Sequence, residues 1–148
     1  MSDYADTSFI LSLHLAADAN HVRAAHFASD WTAPPYLPLT DYGTYEATKA
    51  LMQLVARRQL TLTEATALVR EIVGGRKSGV FRQTTLDHQA WLRRAHELSG
   101  AITPKANVRS LDLLHVAAAQ MRGAARLLTF DTNQRRAALA AGLAAPAL

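Results

Sequence analysis

Apolar positions along this chain recur with two different spacings, and the two kinds of stretch alternate. Short apolar runs at residues 4–5, 36–39, 80–81 and 126–129 predict four strands. Stretches in which apolar residues recur every three or four positions lie between these runs and predict helices of about 10 residues or more. Such an alternation favours right-handed β-α-β units. The pattern therefore predicts an α/β fold, a three-layer α/β/α sandwich with a short-stranded, mainly parallel central sheet.

Local signals set the expected boundaries of these elements. Residues 61–64 form a capping box that opens a helix over about 62–73, and the preceding helix is expected at about 40–59. A helix is expected from about Thr85 to Leu98, with Gly100 as its C-terminal signal. Residues 102–105 are expected to form a loop or a brief strand, because Pro104 argues against helix there. Two prolines within residues 32–36 are expected to stop the helix that precedes this segment. Residues 74–79 predict a flexible basic loop, and the last six residues predict a weak strand.

Composition narrows the class of protein. The 148 residues are 49% hydrophobic and 19% charged, which fits one globular domain. No apolar run approaches the ~20 residues of a membrane span, and the first residues are acidic where a secretion signal would be basic, so we expect a cytoplasmic protein. Cysteine is absent and the six histidines show no zinc spacing, so any metal would be held by oxygen.

Four acidic residues are the candidate site. Asp6 and Asp131 follow the first and fourth predicted strands, and the carboxyl ends of parallel strands meet at one edge of the sheet. Glu46 and Asp112 lie on helices that could lean over the same edge. Each acid also has a structural explanation: Asp6 and Asp131 as helix caps, Asp112 as a complement to the helix dipole, and Glu46 as a partner of Lys49.

The four acids together suggest more than each does alone. The helix around Asp112 is apolar almost all round, so an ionised carboxylate there would be costly without a cation or donors. Several carboxylates at one edge repel each other unless Mg²⁺ or Mn²⁺ neutralises them. The net charge of +4, with most of the 16 basic residues arginine, favours an anionic partner. Such a site suits the hydrolysis of phosphodiester bonds.

The segments around these acids resemble the PIN domain, and most closely the VapC-type toxins of toxin–antitoxin pairs. The resemblance rests on YADTSFILSL, YEATKAL, SLDLLHVAAA and LLTFDTNQRRAALAAGL and covers nearly the whole chain as a single domain, residues 1–148. It implies a Mg²⁺- or Mn²⁺-dependent endoribonuclease. The acids of the family correspond to Asp6, Glu46, Asp112 and Asp131, of which the last is the least dependable metal ligand. Hydroxyl groups near the metal would come from Thr7, Ser8 and Thr129.

His115 is three residues after Asp112 and could share its face of the helix, although a packed, hydrogen-bonded histidine is the better interpretation than a metal ligand. The resemblance further implies a homodimer, a small antitoxin whose tail covers the site, and an RNA substrate such as tRNA, ribosomal RNA or mRNA. The helix at 62–73 and the loop at 74–79 are candidate docking surfaces.

Two other functions remain open at this point. The chain could be a non-catalytic PIN-fold module that binds RNA or protein, with the acids acting as caps. A phosphoryl-transfer enzyme with an aspartate nucleophile is disfavoured, because Asp3 and Asp6 are three residues apart where an alternating pair needs two.

Overall fold

The computed structural model describes residues 2–31, 36–74 and 80–148. Within these ranges the chain forms strands β1 (Asp3–Ala5), β2 (Leu37–Thr40), β3 (Phe81–Thr84) and β4 (Arg126–Leu128). The helices are α1 (Thr7–His14), α2 (His21–Ser29), α3 (Asp41–Ala56), α4 (Leu62–Gly74), α5 (His88–Ala106), α6 (Ser110–Met121) and α7 (Thr132–Ala140). The predicted α/β architecture is confirmed, and all four predicted strands are present, although β3 extends three residues beyond its predicted end.

The strands form two parallel pairs. β1 pairs with β4, which places Tyr4 opposite Leu127 and Ala5 opposite Leu128. β2 pairs with β3 in the same parallel sense. β1 and β2 are also in contact, so the two pairs form one central layer. Parallel pairing needs a long crossover between partner strands, and the helices supply it.

The central layer separates two hydrophobic cores. Tyr4 and Leu127 pack into a core formed mainly with α5, α6 and α7, whereas their neighbours Ala5 and Leu128 pack into a second core with α1, α2, α3 and α4. Successive residues of a strand point to opposite faces, so buried residues on both faces require helices on both sides. The result is the expected three-layer α/β/α sandwich.

The predicted end of α5 is wrong. Asp87 is the N-cap of the helix, which runs from His88 through Gly100 and Pro104 to Ala106. A glycine in a helix costs about 1 kcal/mol, but Leu98 and Ile102 are buried in the core that α5 shares with α6 and α7. Packing therefore outweighs the local signals. The helix ends instead at Asn107, which adopts a left-handed conformation with φ 46°.

Smaller differences concern other boundaries. α3 ends at Ala56 rather than at residue 59, and the predicted C-terminal strand is reduced to one isolated bridge between Arg126 and Ala144. The capping box is confirmed: Thr61 Oγ1 accepts from Glu64 N at 3.2 Å, and Glu64 Oε2 accepts from Thr61 N at 2.7 Å. Residues 32–35, which carry the two prolines predicted to stop a helix, and residues 75–79, which make up most of the predicted basic loop, lie outside the described residues. Among the described helices, none is long and apolar enough to cross a membrane.

Replacement of Leu128 by alanine tests the packing that holds β4 against α1. Leu128 is fully buried, so we expect the substitution to lower the free energy of unfolding by about 2–5 kcal/mol. Urea denaturation of the two proteins measures the difference. Leu139→Ala is the matched control, because that side chain is 48% exposed on α7 and its loss should change stability by less than about 0.5 kcal/mol. Equal effects of the two substitutions would contradict the assigned core.

Candidate active site

A pocket of about 570 Å³ lies at the carboxyl ends of β1 and β4. All four predicted acids line it, together with two of the three predicted hydroxyl residues, His115 and two cationic side chains. The lining includes Asp6, Thr7, Ser8, Glu46, Lys49, Arg109, Asp112, His115, Asp131 and Gln134. The structure thus brings the four acids to one place, whereas their binding of a metal stays a prediction.

Asp6 is placed by the end of β1 and by the start of α1. Its Oδ1 caps the helix by accepting from Phe9 N at 3.0 Å, and the same oxygen accepts from Ser8 Oγ at 2.7 Å. Oδ2 accepts from Thr129 Oγ1 at 2.6 Å. Burial raises the pKa of Asp6, and the nearby His115 and these hydrogen bonds only partly oppose it. Asp6 is therefore both the predicted helix cap and a buried carboxyl of the pocket.

Ser8 and Thr129 connect Asp6 to the exit of β4. Thr129 Oγ1 accepts from Asp131 N at 2.9 Å, and Ser8 Oγ accepts from Phe130 N at 2.8 Å. The two hydroxyl groups therefore satisfy backbone donors of the chain after β4 while donating to Asp6. This arrangement fixes the position of Asp6 relative to Asp131, and it supports the prediction that both hydroxyls lie beside the acids.

Glu46 is held by side chains from three different elements. Its Oε2 accepts from His115 Nε2 at 2.9 Å and from the Thr7 hydroxyl, and Oε1 accepts from Tyr42 Oη at 2.8 Å. Burial raises the pKa of Glu46, but the hydrogen bond and charge of His115 and the two hydroxyl donors lower it to about 2. The expected pairing with Lys49 is absent from the described contacts. Glu46 is thus oriented into the pocket as an ionised carboxylate.

His115 is buried and lies between two polar groups. A carboxylate only accepts hydrogen bonds, so Nε2 carries the hydrogen that is donated to Glu46. Nδ1 lies 3.0 Å from Tyr4 Oη, which donates to it when the ring is neutral. The histidine is packed and hydrogen-bonded, as expected, and it positions Glu46 from behind.

Asp131 caps α7, as the sequence predicts. Its Oδ1 accepts from Asn133 N at 2.7 Å and from Gln134 N at 3.3 Å. Burial raises the pKa of Asp131, but these backbone donors and Arg109 outweigh it, and the net shift is downward. The Gln134 side chain is buried, and its Nε2 donates to the Asp112 carbonyl at 3.0 Å.

Asp112 lies in the first turn of α6 and is 6% exposed. Its carboxylate accepts two hydrogen bonds from Arg109, from Nε to Oδ2 at 2.9 Å and from Nη2 to Oδ1 at 3.2 Å. The same Nη2 donates to Asp131 Oδ2 at 2.8 Å. The hydrogen bonds with Asp112, followed by that with Asp131, raise the pKa of Arg109. A guanidinium therefore bridges two of the four acids.

The oxygen atoms that line the pocket are suitable ligands for a hard divalent cation. Carboxylate and hydroxyl oxygens line it without cysteine, and a side-chain cation already lies between two of the acids. The acids are not gathered around one point, however: among the described residues no three His, Asp or Glu side chains form a ready-made metal group. Their oxygens are instead occupied by protein donors. The chemistry fits Mg²⁺ or Mn²⁺, and binding would require some of these hydrogen bonds to be exchanged.

Arg109, Gln134, Tyr4 and Tyr42 are parts of the site that the sequence pattern did not predict. Two of them had a local signal, because Arg109 precedes Asp112 by three residues and Tyr42 precedes Glu46 by four on α3. Tyr4 and the Gln134 side chain instead meet their partners, His115 and the Asp112 carbonyl, through tertiary packing between residues far apart in the chain.

Comparison with known proteins reveals similarity at the level of structure. No family model and no curated protein sequence matches the chain. Among solved structures it is similar to VapC20 of Mycobacterium tuberculosis, a sarcin-ricin loop cleaving toxin, with a TM-score of 0.68 and 22% identity over 92% of this chain and 95% of that chain. It is also similar to FitAcB of Neisseria gonorrhoeae, with a TM-score of 0.64 and 16% identity over 97% of this chain and 95% of that chain.

A third similar structure is PAE2754 of Pyrobaculum aerophilum, with a TM-score of 0.60 and 14% identity over 98% of this chain and 90% of that chain. The three structures have the PIN fold. The chain has this fold, which confirms the fold that the resemblance implied.

Replacement of Asp6 by asparagine tests the cost of burying this carboxyl group. Since folding raises its pKa, the folded state loses stability as the pH rises through the folded value. Without divalent cations at pH 7, we therefore expect Asp6→Asn to raise Tm by about 2–4 °C for each ~1 kcal/mol gained. The difference should vanish near pH 3, where the group is protonated in both states. Calorimetry in a chelating buffer measures both values.

Asp3→Asn is the matched control for that measurement. Asp3 is equally buried on β1, but its carboxylate pairs with Arg126 through two hydrogen bonds of 2.8 and 2.7 Å. Removing this charge should lower Tm instead. A lower Tm for Asp6→Asn at pH 7 as well would show that the hydrogen bonds to Asp6 outweigh its burial.

Proposed function

We propose that this chain is a divalent-metal-dependent endoribonuclease and the toxin component of a toxin–antitoxin pair. The observation that carries the proposal is the convergence of Asp6, Glu46, Asp112 and Asp131 on one pocket at the carboxyl edge of the parallel strands. The acids come from four separate parts of the chain. Capping alone explains Asp6 and Asp131, but it does not explain why Glu46 and Asp112 face the same space.

Asp6, Glu46 and Asp112 are the residues proposed to hold Mg²⁺ or Mn²⁺, with Asp131 supporting the ion directly or through water. A divalent ion bound by such carboxylates supplies an activated water and stabilises the charge of an in-line phosphodiester displacement. Glu46 and Asp131 have lowered pKa values and are ionised at neutral pH, which is the form that binds cations.

The surrounding side chains keep the acids in place and attract the substrate. Ser8 and Thr129 orient Asp6, and His115 orients Glu46 from the buried side. Lys49 and Arg109 are the cationic side chains in the pocket lining and lie where a phosphate could approach. The fold of an RNA-cleaving toxin such as VapC20 supports RNA as the substrate, with structured tRNA or ribosomal RNA as the first candidates.

The proposal includes the partners that the resemblance to VapC-type toxins implies. These are a small antitoxin whose tail covers the pocket and a second copy of the chain in a homodimer, with action on cytoplasmic RNA. α4 remains a candidate docking surface, since Leu62 is 60% exposed on it.

Asp112→Asn is expected to abolish Mg²⁺-dependent RNA cleavage. The amide keeps the size of the side chain but removes the negative charge, so a drop in kcat of about 100-fold or more is expected. Purified protein is incubated with total RNA and with a synthetic sarcin-ricin loop RNA, with Mg²⁺ or with chelator, and the products are separated on gels. Circular dichroism verifies that the variant is folded.

Asp30→Asn serves as the matched control, because that aspartate is exposed after α2 and does not line the pocket. It should cleave as the unchanged protein does. Cleavage retained by Asp112→Asn, or unaffected by chelator, would contradict the assignment. If metal adds no thermal stability and no RNA is cut, the non-catalytic binding module becomes the better interpretation.

A further inference from the structure

Arg109 is the one side chain that contacts two acids of the pocket through an ionic interaction within the described residues. Its guanidinium donates three hydrogen bonds to Asp112 and Asp131, yet 58% of the side chain is exposed. Asp6 and Glu46, by contrast, are held mainly by donors from inside the protein. Interior groups of the protein therefore hold one pair of acids, Asp6 and Glu46. An exposed arginine bridges the other pair, Asp112 and Asp131.

The backbone of Arg109 begins helix α6 without any contribution from its side chain. Arg109 is the N-cap residue of α6, with φ −80° and ψ 153°, and its side chain makes no capping hydrogen bond. Its carbonyl accepts from Leu113 N at 3.3 Å and begins the helix. The helix start is thus independent of the guanidinium, whose contacts are directed to the acids of the pocket.

We propose that Arg109 occupies two positions: it bridges Asp112 and Asp131 when no divalent cation is bound, and it contacts an RNA phosphate once a cation has taken its place between the acids. This inference rests on the proposed function and assigns a specific role to a residue within it.

The exchange follows from charge and from the oxygens available. Oδ1 and Oδ2 of Asp112 both accept from Arg109, so a cation that binds this carboxylate displaces at least one of those hydrogen bonds. A divalent ion and a guanidinium at the same acids also repel each other. The Arg109 side chain is 58% exposed and can be rehydrated when it leaves, while the incoming cation replaces its positive charge at the buried Asp112 carboxylate, which makes the guanidinium the replaceable ligand.

The released guanidinium stays at the mouth of the pocket, because the backbone of Arg109 is fixed by the start of α6. Lys49 lies on the same lining and supplies a second positive charge. Arginine binds phosphate oxygens through paired hydrogen bonds, and a phosphodiester approaching the acids meets this side chain. One residue would then compete with the cation and assist the substrate.

Arg109→Met separates these two effects, since methionine keeps an unbranched chain but has no charge. Isothermal titration with Mn²⁺ should show binding that is about 5-fold or more tighter than in the unchanged protein, because the competing cation is gone. In cleavage assays at saturating Mn²⁺, KM for RNA should rise about 10-fold or more, with kcat changing less. The opposite signs of the two changes are the signature of the proposed exchange.

Arg122→Met is the matched control, because Arg122 is exposed at the other end of α6 and does not line the pocket. It should leave Mn²⁺ affinity and KM unchanged. If Arg109→Met leaves Mn²⁺ binding unchanged or weaker while RNA is still cut, the exchange is wrong and the proposed function stands. Tighter Mn²⁺ binding without any RNA cleavage in either protein would support the displacement and overturn the ribonuclease. Failure of both proteins to bind Mn²⁺ would overturn both proposals.

Discussion

The burial of carboxylates around one pocket is the constraint on which the rest of this structure depends. Parallel pairing of β1 with β4 brings Asp6 and Asp131 to the same edge, and α3 and α6 add Glu46 and Asp112. A carboxyl group taken out of water needs hydrogen-bond donors of its own. The surrounding hydroxyls, helix starts, His115 and Arg109 supply them, and this explains why polar groups concentrate at this edge while both cores are apolar.

The features predictable from sequence are those set by local pattern. The strand positions, the caps at Asp6 and Asp131 and the capping box at Thr61 follow from residues a few positions apart. The end of α5 was mispredicted because the burial of Leu98 and Ile102 outweighs the helix-breaking tendency of Gly100. That burial depends on packing against distant parts of the chain, which a short stretch of sequence does not reveal. The hydrogen bond from Gln134 to Asp112 joins residues of two helices and needs their packing to be known.

The difference between local pattern and tertiary packing also explains why the similar structures share the fold at low sequence identity. Identities of 14–22% are compatible with TM-scores of 0.60–0.68, because many apolar residues can fill the two cores as long as the alternation of strands and helices is kept. A fold shared at that distance does not carry a function with it. The proposed function therefore depends on the acids and on the groups that orient them, which belong to this chain's own pocket.

The hydrogen bonds divide that pocket into a fixed half and an adjustable half. Asp6 and Glu46 receive donors from buried or helix-bound groups, and moving either would leave Thr129 or His115 without its carboxylate partner. Asp112 and Asp131 meet a long, exposed arginine side chain, and a cation that replaces it would also neutralise the buried Asp112 carboxylate. Only the second pair can change ligands at low cost. A site that must accept a cation and then an anionic substrate needs this asymmetry, because the fixed acids preserve geometry while the exposed guanidinium rearranges.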